Sequence, residues 1–256
     1  MAQLFRRYAL PMAGLRRLPV VGPFLSWASG KLVPRDSLTW VQVQRGPARG
    51  LWLQLNPRTR HSYFEGSGEQ TVVQQYLRPG MIFYDIGANI GFFSLLAGRI
   101  VGKDGRVIAF EPDPELGARL RVNVRRNDLQ VISVEEKAVW FESGTVSFER
   151  ADPATSPDRG LGHIVARGGD DTIQINTASL DDFVLAAPAP DFLKCDVEGA
   201  EVEVFRGAGR LLTEKRPIIL CEMHSDENRR TLLEEFARLG YTSKLVDENH
   251  VLALPR

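Results

Sequence analysis

Five polar residues of this chain directly follow short apolar runs that we expect to be buried β-strands. They are four acids and one histidine, namely Asp85, Glu111, Asp196, Glu222 and His224. Parallel strands bring their carboxyl ends to the same end of a sheet, where ligands of open α/β sheets bind, so we expect these side chains to converge. Carboxylates accept hydrogen bonds from hydroxyl groups, and histidine readily takes up a proton near neutral pH. The pattern therefore predicts a site that binds a hydroxylated ligand and moves a proton.

The first of these runs continues into a glycine-rich turn with the sequence Asp85-Ile-Gly87-Ala88-Asn89-Ile-Gly91. Gly87 can adopt a positive φ and lets the chain turn tightly. Gly91 would open a helix, whose N-terminal amides favour polar or anionic groups of a ligand. The two glycines are four residues apart, unlike the G-x-G-x-x-G pattern of dinucleotide-binding folds. This spacing argues against an oxidoreductase.

A second strand end, Glu111-Pro112, follows Gly87 by 24 residues. In related nucleotide-binding sheets an acid at about this distance binds ribose hydroxyls, and a carboxylate can accept from two hydroxyls at once. The turn and this acid together predict a nucleoside cofactor. The predicted cofactor-binding residues are Asp85, Gly87, Ala88, Asn89, Gly91, Glu111 and Pro112.

Four residues at the ends of later strands are the candidates for catalysis. They are Lys194, Asp196, Glu222 and His224. Lys194 and Asp196 share one face of their strand, so we expect the lysine to pair with this or a neighbouring acid and to orient it. Asp196 would contact the acceptor or act as a base. His224 and Glu222 have the same two-residue spacing, and His224 is the second candidate base.

Structural alternatives stay open at these positions. Asp196 could instead cap a helix over residues 197–205, and Glu198 and Glu201 would lie in its first turn, where acids favour the helix dipole. His224 could be a hydrogen-bonded histidine at a strand end. Two carboxylates and an imidazole also suit several divalent metals, but the spacing of Asp196, Glu222 and His224 matches no metal motif. We therefore predict no metal.

The remaining histidines, His61, His163 and His250, lie in loop-like stretches and are expected to have no catalytic role. His163 is a possible exception, since it falls in a long polar loop, residues 151–171. Loops of this length in a compact domain are usually functional or disordered. We hypothesise that this loop forms a lid on the acceptor side.

The elements that would position these residues alternate along the chain. Apolar runs at 81–84, 107–110, 131–139, 192–195 and 218–221 are typical of strands, and amphipathic stretches at 92–101, 114–126 and 227–239 are typical of helices. This alternation predicts an α/β fold with a mostly parallel sheet covered by helices on both faces. An extra hairpin is expected at residues 145–148 and 172–175, and short strands at 245–246 and 251–254 close the chain.

Residues 1–65 are predicted to form an N-terminal extension, with the main domain at 66–256. Residues 40–44 and 51–55 alternate apolar and polar side chains and predict a β-hairpin. The first 35 residues contain six basic residues and no acid. Prolines and arginine pairs interrupt their apolar residues, which disfavours a signal peptide. A helical extension packed on the main domain, and a basic amphipathic segment resting on an anionic membrane, both stay open.

The composition limits the partners. Basic and acidic residues number 32 each, so the net charge is zero and a nucleic-acid partner is not expected. Cys195 and Cys221 lie inside predicted strands, which indicates buried free thiols and a reducing compartment. The sequence has no apolar stretch of about 18 residues. We therefore expect a cytoplasmic protein, with membrane association through residues 1–35 left open.

Five stretches resemble the FkbM-type family of class I S-adenosylmethionine-dependent methyltransferases. They agree with the family in order and spacing, and they lie at 84–94, 109–112, 179–182, 191–201 and 216–222. The resemblance covers roughly residues 60–256. It implies a Rossmann-like sheet of seven strands with the last strand antiparallel. It also implies S-adenosyl-L-methionine as cofactor and O-methylation, often of sugar or polyketide hydroxyls.

Together, the residues and the resemblance predict an O-methyltransferase acting on a hydroxyl of a sugar, a glycan or a small metabolite. Methyl transfer requires an acceptor oxygen aligned with the leaving sulfur, and a base that takes up the hydroxyl proton. Alternatives are a nitrogen or carboxylate acceptor, or a module that binds the cofactor without turnover. The acceptor itself and the oligomeric state are left open.

Overall fold

The computed structural model of this protein describes residues 37–56, 67–151, 162–165 and 172–256. The predictions for residues 1–35, including the membrane contact, lie outside these ranges, as do His61 and most of the 151–171 loop. The predicted domain boundary at residues 65–66 falls in the same undescribed part and stays a prediction.

The first half of the described chain contains five strands and three helices. In chain order they are β1 (Thr39–Gln42), β2 (Trp52–Leu55), α1 (Gly68–Tyr76), β3 (Ile82–Ile86), α2 (Phe92–Val101), β4 (Arg106–Phe110), α3 (Pro114–Arg126) and β5 (Ile132–Glu135). Ser67 caps α1, because its hydroxyl accepts a hydrogen bond from the backbone amide of Gln70 at 3.3 Å. Asp113 caps α3 in the same way through the amide of Glu115 at 2.8 Å.

The second half begins with strands that leave the central sheet and then returns to it. Its elements are β6 (Ala138–Val139), β7 (Gly144–Glu149), β8 (His163–Val165), β9 (Thr172–Ala178), α4 (Leu180–Phe183), β10 (Phe192–Cys195), α5 (Glu201–Arg206), α6 (Gly209–Glu214), β11 (Ile218–Glu222), α7 (Asp226–Arg238), β12 (Tyr241–Leu245) and β13 (His250–Pro255). Among the described residues, no helix is long and apolar enough to cross a membrane.

Seven strands form the central sheet in the order β12-β13-β11-β10-β3-β4-β5. β13 is antiparallel to both of its neighbours, and the pairings among β11, β10, β3, β4 and β5 are parallel. The predicted fold class is therefore confirmed, including the antiparallel last strand. This topology sends the carboxyl ends of β3, β4, β10 and β11 to one end of the sheet.

Side chains alternate between the two faces of the sheet, and each face has its own core. Phe83 packs with residues of α1, α2 and the β1–β2 hairpin, whereas the next residue, Tyr84, packs with residues of α5, α6 and α7. This alternation follows from the two-residue period of a strand. Cys195 and Cys221 are opposite each other on β10 and β11 and are buried free thiols, as expected.

The predicted hairpin is present and is bonded to α3. Asn127 accepts a hydrogen bond from the amide of Trp52 at 2.8 Å, and Asn123 accepts one from the amide of Gln54 at 2.8 Å. The guanidinium of Arg126 lies 4.9 Å from the ring centroid of Trp52, a cation–π contact. The hairpin thus shares a core with the sheet that follows it.

The single strand expected at 131–139 is wrong. β5 ends at Glu135 in the central sheet, and β6 begins at Ala138 in a second sheet of order β6-β9-β7-β8. Two charged residues, Glu136 and Lys137, separate the two strands, and Glu136 is exposed. Charged side chains of this kind do not suit a strand covered on both faces, so the chain leaves the sheet there.

The extra hairpin expected at 145–148 and 172–175 is present within this second sheet. β7 and β9 are antiparallel, with Val146 opposite Ile175. At the end of β7 the guanidinium of Arg150 bonds to the buried Asp113, with its Nε 2.8 Å from Oδ2. Arg150 therefore ties the second sheet to the loop that follows β4.

Candidate active site

The glycine turn, residues 85–91, connects β3 to α2. The hydroxyl of Ser94 donates to Oδ2 of Asp85 at 2.5 Å. The other oxygen, Oδ1, is buried and has no hydrogen-bond partner among the residues that the structure describes. Burial raises the pKa of the Asp85 carboxyl. An unpartnered buried acceptor of this kind suits a donor group of a ligand.

The two glycines of this turn are required by the protein's own packing. Gly87 has a φ of 75°, and a Cβ there would lie 1.8 Å from the carbonyl oxygen of Asp196. The ends of β3 and β10 therefore touch at Gly87. Gly91 has a φ of 89° and begins α2, and a Cβ there would lie 2.7 Å from the side chain of Leu120. Both positions favour glycine for conformation and for space.

The backbone amides of the turn are largely used within the chain. The amides of Gly87 and Ala88 donate to the carbonyl of Phe110 at 3.1 and 2.9 Å. The amide of Asn89 donates to Oε2 of Glu111 at 2.7 Å. These bonds join the end of β3 to the end of β4. A ligand at this turn would therefore meet carboxylates more than free amides.

Glu111 is the carboxylate that the turn surrounds. Its side chain is buried, and Oε1 accepts a second hydrogen bond from the amide of Asp113 at 2.9 Å, across Pro112. Burial raises the pKa of Glu111 to about 8, although both amide bonds oppose this shift. Each oxygen keeps a lone pair for a further donor. With Asp85 beside it, the turn fits a ligand that carries a cationic group and ribose hydroxyls, as S-adenosylmethionine does.

At the end of β10, Lys194 and Asp196 form the pair expected from their shared strand face. The Lys194 ammonium lies 3.0 Å from Oδ2 of Asp196 and 4.8 Å from the centroid of the Phe93 ring. Burial alone would lower the pKa of Lys194, but the charges of Asp196 and Asp85 hold it above its usual value. Conversely, burial would raise the pKa of Asp196, and Lys194 holds it low. The lysine therefore keeps Asp196 ionised.

The helix expected at 197–205 begins later than predicted. α5 starts at Glu201, and Ala200 is its N-cap residue, so Asp196 does not cap it. Glu198 has a φ of 42° and Gly199 a φ of 94°. Two successive positive φ values are incompatible with a right-handed helix, and such a conformation at a non-glycine residue is uncommon. Asp196 and Glu198 thus lie in a loop at the carboxyl end of the sheet.

Glu201 orients the ring of His224 through a hydrogen bond. The Nδ1–H of His224 donates to Oε1 of Glu201 at 2.6 Å, because an ionised carboxylate can only accept. Glu201 is fully buried and also accepts from the amide of Gly199 and, at 2.6 Å, from the side-chain amide of Asn228. These bonds fix the ring, so that Nε2 points away from Glu201.

The free nitrogen of His224 faces three carboxylates. Nε2 lies 3.5 Å from Glu198, 3.9 Å from Asp196 and 3.9 Å from Glu222. The hydrogen bond to Glu201 raises the pKa of His224 to about 9, and burial partly opposes this rise. We refer to Lys194, Asp196, Glu198, Glu201, Glu222 and His224 as the β10–β11 cluster. It contains all four predicted catalytic residues.

The expectation that His250 lies in a loop is incorrect. It is the first residue of β13 and lies opposite Glu222. Its Nδ1 is 2.7 Å from Oδ1 of Asp247, and its Nε2 is 3.0 Å from Glu69 and 3.4 Å from Glu222. The family resemblance implied an antiparallel last strand. Such a strand begins beside the end of β11, so the position of His250 next to Glu222 could have been predicted.

Sequence reasoning missed two more residues of this region. Glu201 was assigned to the helix dipole, although its main contact is with His224. Asn228, which lies in the first turn of α7, was not considered. Both act through contacts between elements that are distant in sequence, so no local pattern marks them.

Comparisons with known proteins agree with this geometry. The family model described as the methyltransferase FkbM domain matches residues 85–243. Hexuronic acid methyltransferase AglP of Haloferax volcanii is 32% identical over 163 residues, which are 62% of this chain and 63% of that protein. The match thus spans less than two thirds of AglP. The 2-O-methyltransferase NoeI of Sinorhizobium fredii is 26% identical over 198 residues, which are 69% of this chain and 80% of that protein.

A solved structure supports the fold. The crystal structure of methyltransferase FkbM from Methylobacillus flagellatus KT superposes with a TM-score of 0.50 at 20% identity, covering 73% of this chain and half of that one. This likeness concerns the fold alone. The family model, in contrast, covers more than half of the chain and includes both the glycine turn and the β10–β11 cluster. The chain therefore belongs to the FkbM domain family of S-adenosylmethionine-dependent methyltransferases.

Proposed function

We propose that this protein is an O-methyltransferase that transfers a methyl group from S-adenosylmethionine to a hydroxyl of a sugar, a glycan or a small metabolite. The observation that carries the proposal is the orientation of His224. Its Nδ1–H is held by the buried Glu201, and its Nε2 faces Asp196 within 3.9 Å. A fixed imidazole nitrogen next to an ionised carboxylate is suited to take a proton from a hydroxyl group.

The glycine turn is the proposed cofactor site. Asp85, Gly87, Ala88, Asn89 and Gly91 would form its wall. Glu111, followed by Pro112, would accept hydrogen bonds from the two ribose hydroxyls. S-adenosylmethionine, when bound there, supplies an electrophilic methyl group. Because Gly87 packs against the carbonyl of Asp196, this proposed wall would lie directly against the β10–β11 cluster.

The β10–β11 cluster would bind and deprotonate the acceptor. Asp196, kept ionised by Lys194, accepts a hydrogen bond from a neighbouring hydroxyl of the acceptor and so orients the reacting hydroxyl towards His224. His224 acts in its neutral form, which predominates above its raised pKa of about 9. In that form Nε2 takes the proton as the oxygen is methylated, and Glu201 stabilises the resulting imidazolium. Glu222 lies 3.9 Å from the same nitrogen and also stabilises the positive charge of the imidazolium.

The names of the relatives support an oxygen acceptor without fixing its type. NoeI is a 2-O-methyltransferase, and AglP acts on a hexuronic acid, which carries both hydroxyls and a carboxylate. A carboxylate acceptor has no proton to lose, whereas a hydroxyl acceptor does. The base-like setting of His224 therefore favours the hydroxyl. We keep carboxylate and nitrogen acceptors, and a cofactor-binding module without turnover, as the alternatives, and we propose no nucleic-acid partner.

The test is a transfer assay with methyl-labelled S-adenosylmethionine. The acceptors are a neutral glycoside, the matching glucuronide and the matching amino sugar, and each product is treated with mild alkali. We expect label that survives alkali, because a methyl ether is stable where a methyl ester is cleaved. His224→Asn should lower the rate by about 10²–10⁴-fold, the usual contribution of a positioned base, with unchanged binding of S-adenosylhomocysteine.

Each alternative has its own signature in this assay. Label lost in alkali would indicate a carboxylate acceptor, and label confined to the amino sugar would indicate nitrogen. Binding of S-adenosylhomocysteine without transfer to any acceptor would favour the binding module. A folded protein that does not bind S-adenosylhomocysteine would refute the proposal as a whole.

A further inference from the structure

His250, a second histidine at the carboxyl end of the sheet, is surrounded by three acidic residues. We refer to Glu69, Glu222, Asp247 and His250 as the His250 cluster. Glu69 lies in the first turn of α1, Glu222 ends β11, and His250 begins β13. The side chains of Glu69, Glu222 and His250 are 14%, 26% and 12% exposed. Three elements from distant parts of the chain therefore bring two carboxylates and one imidazole into a largely buried position.

The orientation of His250 is fixed from one side only. Oδ1 of Asp247 lies 2.7 Å from Nδ1, and the same oxygen accepts from the amides of Asn249 and His250 at 3.0 Å. Nε2 is buried, and although two carboxylate oxygens are near it, neither lies where an N–H of the ring would form a hydrogen bond. A carboxylate on one ring nitrogen is the usual outer support of a histidine that binds a metal through the other nitrogen.

The two distances from His250 to the inward-facing carboxylate oxygens match those between neighbouring metal ligands. Nε2 of His250 lies 3.0 Å from Oε1 of Glu69 and 3.4 Å from Oε2 of Glu222. Ligands bound at about 2.0–2.2 Å are about 3 Å apart at right angles and about 3.5 Å apart at tetrahedral angles. One ligand atom from each of the three residues lies within 4.8 Å of the others. Each of the three residues can therefore offer one ligand atom to a single cation.

We propose that Glu69, Glu222 and His250 bind a divalent metal ion, with Asp247 orienting His250. Two oxygens and one imidazole nitrogen suit Mn²⁺, Zn²⁺ or another first-row ion better than Ca²⁺ or Mg²⁺, which prefer oxygen ligands. Two carboxylates balance the double charge of the ion. This set differs from Asp196, Glu222 and His224, the set considered from the sequence. Its histidine comes from β13, and one of its two acids comes from α1.

The proposed ion would connect α1 to the active site. Glu222 faces both histidines, with Oε2 towards His250 and Oε1 3.9 Å from Nε2 of His224. An ion bound to Oε2 would fix the direction of Oε1. It would also tie α1 to β11 and β13, next to the packing of Gly68 against Val246. The ion is thus proposed as a structural metal that positions Glu222.

Calorimetric titration of the metal-stripped full chain with Mn²⁺ tests this site directly, independently of methyl transfer. We expect binding of a single Mn²⁺ per chain. Glu69→Gln and His250→Asn should abolish it, and Asp247→Asn should weaken it about 10–100-fold, as is usual for loss of an outer carboxylate. Glu234→Gln, which removes the same charge from the exposed face of α7, should leave binding unchanged.

A thermal melt with and without Mn²⁺ separates misfolding from loss of the site. A variant that melts like the metal-free wild type, but gains no stability from Mn²⁺, supports the proposal. Mn²⁺ binding that survives Glu69→Gln and His250→Asn but disappears in Glu198→Gln would place the ion in the β10–β11 cluster and overturn the proposal. Absence of Mn²⁺ and Zn²⁺ binding to the folded wild type would also overturn it, leaving the His250 cluster as a group of ion pairs.

Discussion

The glycine turn and the β10–β11 cluster lie side by side, yet they are built in different ways. The turn is held by backbone hydrogen bonds, such as those from Gly87 and Ala88 to Phe110, and by the absence of side chains at its glycines. The cluster is held by charged side chains around His224. Changes in the turn should therefore affect folding and cofactor binding, whereas changes in the cluster should affect chemistry with little loss of cofactor affinity.

The largest effect on stability is expected from Gly87→Ala. The new Cβ would collide with the carbonyl of Asp196, at 1.8 Å, and alanine is strained at a φ of 75°. Strain and overpacking together should lower the free energy of unfolding by about 3 kcal/mol or more. Urea denaturation followed by circular dichroism measures this change.

The matched control is Gly209→Ala at the start of α6, where a Cβ meets no atom within 4 Å. It should leave stability unchanged or raise it by about 0.4–1 kcal/mol, because alanine restricts the unfolded chain more than glycine does. Equal denaturation midpoints for the two variants would show that the ends of β3 and β10 do not pack as tightly as the structure indicates.

The same contrast explains what the sequence could predict. The turn, Glu111 and the alternation of strands and helices are local patterns, so their types and approximate bounds follow from residue spacing. α5 begins later than expected because Glu198 has a positive φ, which delays the helix. The residue types do not predict this conformation. The single strand expected at 131–139 is wrong because the charged residues within that stretch do not suit burial on both faces of a sheet.

Side-chain partners were harder to predict than positions. Lys194 and Asp196 lie two residues apart on one strand, and their pairing followed from that spacing. His224 and Glu201 are brought together by α5 and β11, and His250 meets Glu69 only because β13 returns beside α1. Such contacts depend on tertiary packing between distant segments, which a single sequence does not state.

A smaller effect, on binding rather than folding, is expected from Glu111→Gln. The amide keeps the size of the side chain but removes the charge that accepts hydrogen bonds. At pH 9, where wild-type Glu111 is ionised, loss of charge-assisted bonds worth about 1.5–3 kcal/mol should weaken S-adenosylhomocysteine binding about 10-fold or more in calorimetry. Glu214→Gln, at the exposed end of α6, is the control and should bind like the wild type. Equal affinities for both variants would show that Glu111 only stabilises the turn and does not bind the cofactor.

The finest test of the comparison is the pH dependence of cofactor affinity. Burial raises the pKa of Glu111 to about 8, so its neutral form predominates below that pH. Only the ionised form can accept from both ribose hydroxyls. The affinity for S-adenosylhomocysteine should therefore rise with pH, up to about 10-fold between pH 7 and pH 9 if the neutral form does not bind. Glu111→Gln should abolish this rise, whereas His224→Asn should preserve it, because His224 belongs to the β10–β11 cluster. A rise that persists in Glu111→Gln would assign the titration to another group and weaken the division between the two regions.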